Sequence, residues 1–262
     1  MRSARGRCVR AGRQARRHPD RRASARGGLI HLLLSLFLAS TVSSPACDRA
    51  AYYIVMGDFA RALQQLDGVR SKGTSSAANE NLRGVALMLS GDAKKAVGVF
   101  DAVIASDPTM LEARFNRAVA LLKLGEPAKA SAEFEKIALD EHNMLRATAA
   151  YHNALALDRL SRPADALTWS DRALALDNTF DAAFLLSGTL NERSGHIESA
   201  ARSYLAYLRR HPDSTVAMLR LGVCAQRANR LDVAVPYLKR VVVLAPDSSE
   251  AAEARKFLIM WE

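Results

Sequence analysis

Residues 111–144 read LEARFNRAVALLKLGEPAKASAEFEKIALDEHNM, and much of the chain varies the same pattern. The small residue Ala118 is followed by the turn former Gly125, then by Ala130 and, four residues later, by the larger Phe134. Glycine leaves the right-handed helical region at little cost, so one helix can end at Gly125 and a second can start in another direction. The stretch therefore predicts two helices joined by a tight turn.

This arrangement recurs at a nearly constant period. The alanine equivalent to Ala130 returns in the other units at Ala62, Ala96, Ala166, Ala200 and Ala234. Each step is 34 residues except one of 36. The turn former between the two helices is Gly57, Gly91, Gly125, Ser161, Gly195 or Asn229. Self-similarity at this period is the signature of stacked repeats, in which each unit buries its apolar face against its neighbours.

A small residue also recurs in the first helix of every unit, where it allows two helix backbones to approach closely. It is Ala50, Gly84, Ala118, Ala154, Gly188 or Gly222. Proline closes three of the units, at Pro108, Pro212 and Pro246, because it cannot continue the helix before it. The composition, with 49% hydrophobic but only 6% aromatic residues, suits helices packed through alanine and leucine.

The pattern resembles the tetratricopeptide repeat family. The match covers six units, residues 43–76, 77–110, 111–144, 147–180, 181–214 and 215–248. Leu145 and Arg146 fall outside the register after the third unit, so we expect a longer or bent connection there. The resemblance implies an all-α, right-handed α-solenoid of about six helix-turn-helix units over residues 47–248.

Residues 249–262 resemble a final capping helix. Its apolar side is predicted to face the last unit through Ala252, Phe257, Leu258 and Trp261. Its outer side is predicted to carry Glu250, Glu253, Arg255 and Lys256. A solenoid needs such a polar end to remain soluble.

The net charge of +10 is concentrated at the start of the chain. Residues 1–28 hold ten arginines and one acid, Asp20, for a net charge of +9, which leaves +1 for the rest of the chain. The solenoid is therefore nearly neutral, and no nucleic acid is expected as a partner of the mature protein. Val9 is an alternative bacterial start, in which case the first codons of residues 1–28 would not be translated.

Residues 1–46 are interpreted as a basic leader and a secretory signal peptide. The apolar run LIHLLLSLFLASTV, residues 29–42, is shorter than the about 20 apolar residues that span a bilayer, and small residues follow it. Cys47 stands where bacterial lipoproteins carry their acylated cysteine, although Ser44 replaces the usual leucine. Ser44 and Ala46 also satisfy the rule for ordinary cleavage, which would leave Cys47 as a plain N-terminal thiol. Both outcomes place the protein in the cell envelope, facing the periplasm, and acylation would add a membrane anchor.

Motifs for catalysis, nucleotides, metals and calcium are missing from the sequence, including GxxxxGK[ST], HExxH and paired CxxC. The histidines are scattered, so we expect no metal site, no cofactor and no enzymatic activity.

The resemblance implies that ligand peptides lie in a concave groove lined by the first helix of each unit. The residues expected to form it are Asn81, Met88, Phe115, Asn116, Val119, Lys123, Tyr151, His152, Leu155, Arg159, Leu185, Arg193, Leu219, Arg220 and Arg227. Some of the apolar members could equally fill space between units. The set includes a basic stripe, defined as Lys123, Arg159, Arg193 and Arg227. The stripe could bind acidic groups of a partner or simply remain hydrated. A clamp of paired asparagines for a terminal carboxylate is not reproduced.

These features predict a non-catalytic scaffold that binds proteins or peptide segments, is exported and is lipid-anchored. Its build resembles assembly factors of type IV or tight-adherence pili and of secretins. Two alternatives stay open: a chaperone or adaptor for enzymes of the cell wall or outer membrane, and a cytosolic RNA-binding protein that uses the arginine-rich leader as an arm.

Overall fold

The computed structural model describes residues 45–259. These residues form thirteen α-helices and no strand. The helices are α1 (Pro45–Val55), α2 (Phe59–Ser71), α3 (Ala77–Ser90), α4 (Ala93–Ser106), α5 (Leu111–Lys123), α6 (Pro127–Leu139), α7 (Arg146–Arg159), α8 (Pro163–Leu176), α9 (Asp181–Arg193), α10 (Ile197–Arg210), α11 (Thr215–Arg227), α12 (Leu231–Leu244) and α13 (Ser249–Ile259). Each helix packs against the next one in the chain. The predicted all-α solenoid is confirmed.

The turn inside each unit is closed by a residue with a left-handed backbone. Gly125 has a φ of 82°, and the N–H of Glu126 donates to the carbonyl of Leu121 at 3.0 Å. Two units use other residues for this conformation, Ser161 with a φ of 58° and Asn229 with a φ of 56°. Asparagine is a common non-glycine choice at such positions. All six predicted turn formers therefore end a first helix.

Close approach of the two helices within a unit explains the small residue of the first helix. A Cβ atom built on Gly84 would lie 2.5 Å from Cε1 of Phe100. One built on Gly188 would lie 2.6 Å from Cε1 of Tyr204. Both aromatic rings are buried, so they have little freedom to move away. A large residue of the second helix thus fills the space that the glycine leaves.

The connection after the third unit is longer, as the sequence predicts. Residues 140–145 separate α6 from α7, whereas residues 107–110 separate α4 from α5. Leu145 lies at the N-cap of α7 and is buried in the core, and Arg146 begins the helix. Met144, beside them, is 90% exposed. The extra length therefore adds one core residue and one surface methionine.

Helix α13 covers the last unit, but with a different face from the one predicted. Ala251 and Ala254 are fully buried, whereas Ala252 is exposed. Glu250, expected on the outer side, is buried, so both residues were assigned to the wrong face. The reason is that Ala251 continues the row of buried alanines that includes Ala183 and Ala217, and this row sets the rotation of the helix. Phe257 and Leu258 pack against the core, while Trp261 lies outside the described residues.

Within residues 45–259, no helix combines the length and apolar character that a bilayer span requires. The basic leader and nearly all of the predicted signal peptide lie outside the described residues.

Candidate protein-binding groove

The predicted groove residues differ in exposure along the stack. We call the groove positions of α3 and α5 the closed half, and those of α7 and α9 the open half. In the closed half, five predicted contact residues are at most 4% exposed: Asn81, Met88, Phe115, Asn116 and Val119. The prediction that they contact a partner is wrong, because the packing of neighbouring units covers their side chains. Leu219 in α11 is 3% exposed and is corrected for the same reason.

Asn116 illustrates why the closed half cannot act as a carboxylate clamp. Its side-chain N–H donates to Oδ1 of Asn81 at 3.1 Å, and both residues are buried. The amide donors that could hold a terminal carboxylate are therefore directed into the stack. Oδ1 of Asn116 has no hydrogen-bond partner among the described residues.

His152 marks the boundary between the two halves. Its ring is stacked on Phe134 with centroids 5.3 Å apart and meets Phe115 and Tyr151 edge-on at 5.3 and 5.2 Å. Neither ring nitrogen has a hydrogen-bond partner among the described residues. Burial lowers the pKa of His152 to about 4, since the charged imidazolium is poorly solvated there. His152 is a neutral core residue, so its predicted role as a groove contact is corrected.

The open half keeps its apolar residues within reach of solvent. Tyr151, Leu155 and Leu185 are partly buried, and Thr189 in α9 is exposed. Burial of Tyr151 raises the pKa of its phenol. These residues form a partly exposed apolar surface that is shorter than the predicted groove.

The arginines of the basic stripe connect consecutive units. Arg159 donates to the carbonyl oxygen of Leu122 at 2.6 Å, and Arg227 approaches that of Glu192 at 3.4 Å. Both carbonyls also accept a backbone N–H of the following turn, Leu122 from Gly125 at 3.3 Å and Glu192 from Gly195 at 3.2 Å, so each arginine adds a second donor from the next unit. Lys123 occupies the same position in the third unit and is exposed.

Arg193 reaches the side chain rather than the backbone of the preceding unit. Its Nη1 lies 2.7 and 2.9 Å from the two carboxylate oxygens of Asp158. The Arg193 side chain is 54% exposed, so the pair is accessible to solvent. The stripe is therefore partly occupied by groups of the protein itself, a role that the sequence interpretation missed. The spacing of 35 residues between Asp158 and Arg193, one repeat plus one residue, was the available signal.

A partly buried acid lies in the floor of the open half. The side chain of Glu192 is 13% exposed, and the hydroxyl of Tyr204 donates to its Oε2 at 3.0 Å. Nη1 of Arg220 lies 3.6 Å from its Oε1, and Arg220 is itself exposed. The acid thus has protein partners, and the exposed charges around it are predominantly arginines.

Cys47, the predicted lipidation residue, lies in the first turn of α1 and is 1% exposed. It packs with Ile54 and Leu82, and its thiol donates a hydrogen bond to Oδ1 of Asn79. This space cannot hold a diacylglyceryl group, so acylation requires the first turn of α1 to unwind. No group of three or more His, Cys, Asp or Glu side chains that could hold a metal occurs within residues 45–259.

The repeats are also recognised by family models. Two models, each described as tetratricopeptide repeat, match residues 47–110 and 185–249 and residues 87–158. Together they cover more than half of the chain. The chain belongs to the tetratricopeptide repeat family. Comparison of this tetratricopeptide repeat protein with curated proteins finds no match.

Solved tetratricopeptide-type structures share the fold over most of the chain. PilF of Pseudomonas aeruginosa has a TM-score of 0.67 at 18% identity, covering 90% of this chain and 99% of PilF. PilW, described as a widely conserved type IV pilus biogenesis factor, has a TM-score of 0.72 at 19% identity, covering 84% of this chain and all of PilW, 100%. YrrB, described as having an unusual peptide-binding site, has a TM-score of 0.57 at 19% identity, covering 73% and 97%.

Proposed function

We propose that this protein is a non-catalytic scaffold that holds a segment of another protein in the open half of the groove. The observation that carries the proposal is the half-buried apolar surface of Tyr151, Leu155 and Leu185 beside the exposed cations Arg193 and Arg220. Apolar side chains supply binding energy, and arginines favour acidic groups on the partner. The bound segment therefore combines an apolar anchor with one or more carboxylates.

Photo-crosslinking in the living cell tests this assignment. A photoreactive amino acid placed at Leu185 should capture a specific partner, and Leu185→Asp should abolish the interaction without unfolding the protein. The matched control is Leu139, a 48% exposed leucine at the end of α6 outside the groove. The proposal fails if Leu139 captures the same partner, or if Leu185 captures none.

We further propose that the partner belongs to an envelope assembly machine, such as a type IV or tight-adherence pilus or a secretin. The shared fold with PilF and PilW supports this choice by analogy. Deletion of the gene should then reduce pilus or secretin assembly. If the crosslinked partner is instead an enzyme of the cell wall or outer membrane, the protein is a chaperone or adaptor for that enzyme.

Export and acylation of Cys47 complete the proposal. The apolar run at residues 29–42 and the cysteine that follows it support both steps. Cleavage before Cys47 would make it the chain end, where the first helical turn unwinds most easily. Mass analysis of the mature protein should show a chain that begins at a diacylated Cys47, and globomycin, which inhibits the lipoprotein signal peptidase, should leave the leader attached to the acylated chain. Without the inhibitor, an intact leader would contradict export, and an unmodified Cys47 would contradict the anchor.

A further inference from the structure

The first unit differs from the others on the side where, within residues 45–259, no other unit precedes it. One position of the first helix is at most 1% exposed in units two to six, where it is Ala86, Ala120, Ala156, Leu190 and Cys224. The equivalent residue of α1 is Tyr52, which is 61% exposed. In the later units this position is covered by stacking. In α1, within the described chain, it is open to solvent.

Two neighbouring residues continue this open surface. Val55 is 45% exposed and Met56 is 65% exposed, three and four positions after Tyr52, so the three share one face of the helix. We call these three residues the N-terminal end face. Val55 occupies the position of Arg159 and Arg193, which bind the preceding unit. The equivalent residue of unit two is also apolar, Leu89, but it is partly buried against the core, whereas Val55 is exposed.

The size of Tyr52 argues against a further helix pair stacking here in the same way. At this position units two to four have alanine, unit five has leucine and unit six has cysteine, so no stacked unit carries a side chain as large as tyrosine there. A tyrosine with an exposed ring fits a deformable surface better than a close-packed one. Two exposed arginines lie nearby. Arg49, three residues earlier, donates to Gln65 at 3.2 Å, and Arg61 is paired with Asp58 at 3.3 Å with its guanidinium 5.9 Å from the ring of Tyr53.

The chain itself indicates which surface this is. The apolar run at residues 29–42 ends three residues before Pro45, and Cys47 lies five residues before Tyr52. A tether at either place holds a membrane next to α1. The opposite end of the stack, at α13, exposes Arg255, Lys256 and the apolar Ile259, but it lies at the far end of the chain from both of these places. Tyrosine and arginine side chains suit the interface between lipid headgroups and acyl chains.

We infer that the N-terminal end face rests on an anionic phospholipid bilayer, so that the solenoid stands on the membrane through α1. This inference rests on the membrane tether of the proposed function. It adds an orientation, with the open half of the groove held away from the bilayer by the first three units. Apolar insertion and attraction of the arginines to anionic headgroups both contribute.

Fluorescence quenching in reconstituted vesicles tests the inference. The full chain carries Tyr52→Trp, with Trp169→Phe and Trp261→Phe, and is reconstituted into vesicles of zwitterionic and anionic lipids with brominated acyl chains. The Tyr52→Trp emission should shift to shorter wavelength and be quenched. Met144→Trp in the same background places the probe at the 90% exposed connection between units three and four, and it should not be quenched.

A second pair of variants separates insertion from mere proximity. Adding Val55→Asp and Met56→Asp should abolish the quenching at position 52. Adding Leu139→Asp and Met144→Asp, at similarly exposed residues far from α1, should leave it unchanged. Absence of quenching at position 52 in the tethered protein overturns the inference. A shift of the emission at position 52 that depends on the protein concentration and not on the lipid also overturns it. That result would mean that a second copy of the chain covers the N-terminal end face.

The tether is assessed separately by the mass of the reconstituted chain. If the measured mass includes neither an acyl group nor residues 29–42, the protein has no tether and that part of the proposed function has failed. The same variants are then added to preformed vesicles. Quenching of Tyr52→Trp then supports the inference without the tether, and its absence overturns both.

Discussion

The closed and open halves of the groove come from the same repeat but offer different surfaces. At one groove position of the first helix, Phe115 is fully buried in α5, whereas Leu185 is partly exposed in α9. At another, Val119 is 3% exposed and Thr189 is exposed. A repeat position therefore defines the side of the helix on which a residue lies, and the packing between units determines whether solvent or a partner can reach it.

The largest expected difference concerns the cores of the two halves. Phe134→Ala should lower the free energy of unfolding by about 3–5 kcal/mol, because the fully buried ring contacts Phe115 and His152 and leaves a cavity. Leu155→Ala in the open half should cost about 1 kcal/mol, since its side chain is only partly buried. Urea unfolding followed by circular dichroism measures both. Equal losses would mean that the two halves are packed alike.

Acid should destabilise the boundary at His152. Its pKa is lowered to about 4 in the folded protein, so between about pH 6.5 and 4 the unfolded chain binds a proton that the folded protein does not. The stability contributed by the neutral ring is present above that range and falls as the pH decreases, by up to about 3 kcal/mol. Unfolding titrations should show that His152→Met removes much of this dependence. Substitution of the exposed His142 by Gln should retain it, and an unchanged slope in His152→Met would contradict the assignment.

Packing within a unit should be equally strict in both halves. Gly84→Ala and Gly188→Ala should each destabilise the protein by about 1–3 kcal/mol, because the added methyl group overlaps Phe100 or Tyr204. Gly98→Ala is the control, since a Cβ atom there meets nothing within 4 Å and alanine favours the helix. The midpoint temperature of thermal unfolding should be equal to or higher than that of the native protein for Gly98→Ala, and lower for the other two variants. If Gly188→Ala were tolerated while Gly84→Ala was destabilising, the two helices of a unit would be packed less tightly in the open half than in the closed half.

The smallest effect is expected for the ion pair of the open half. A double-mutant cycle of Arg193→Met and Asp158→Asn should give a coupling energy below about 1 kcal/mol, because Arg193 is 54% exposed and water screens the charges. The coupling should decrease in high salt. A value that is large and independent of salt would show that the pair holds the two units together.

Much of the fold could be predicted because the repeat signals are local. Gly125 and Asn229 end helices through their own backbone preferences, and Gly84 is matched by Phe100 in the same unit. The candidate site was less predictable. His152 and Phe115 have suitable positions and residue types for a groove, but their burial depends on distant side chains such as Phe134, which lies 18 residues from His152 and 19 from Phe115 in sequence.

The amino-acid sequence by itself determined the helix-turn-helix period, the turns and the family, because each depends on backbone preferences and residue sizes within one unit. The tertiary structure alone decided which groove positions remain accessible, which arginines bind the preceding unit, and which face of α13 covers the stack. These properties depend on the rotation and separation of neighbouring units, which arise from the summed packing of many side chains.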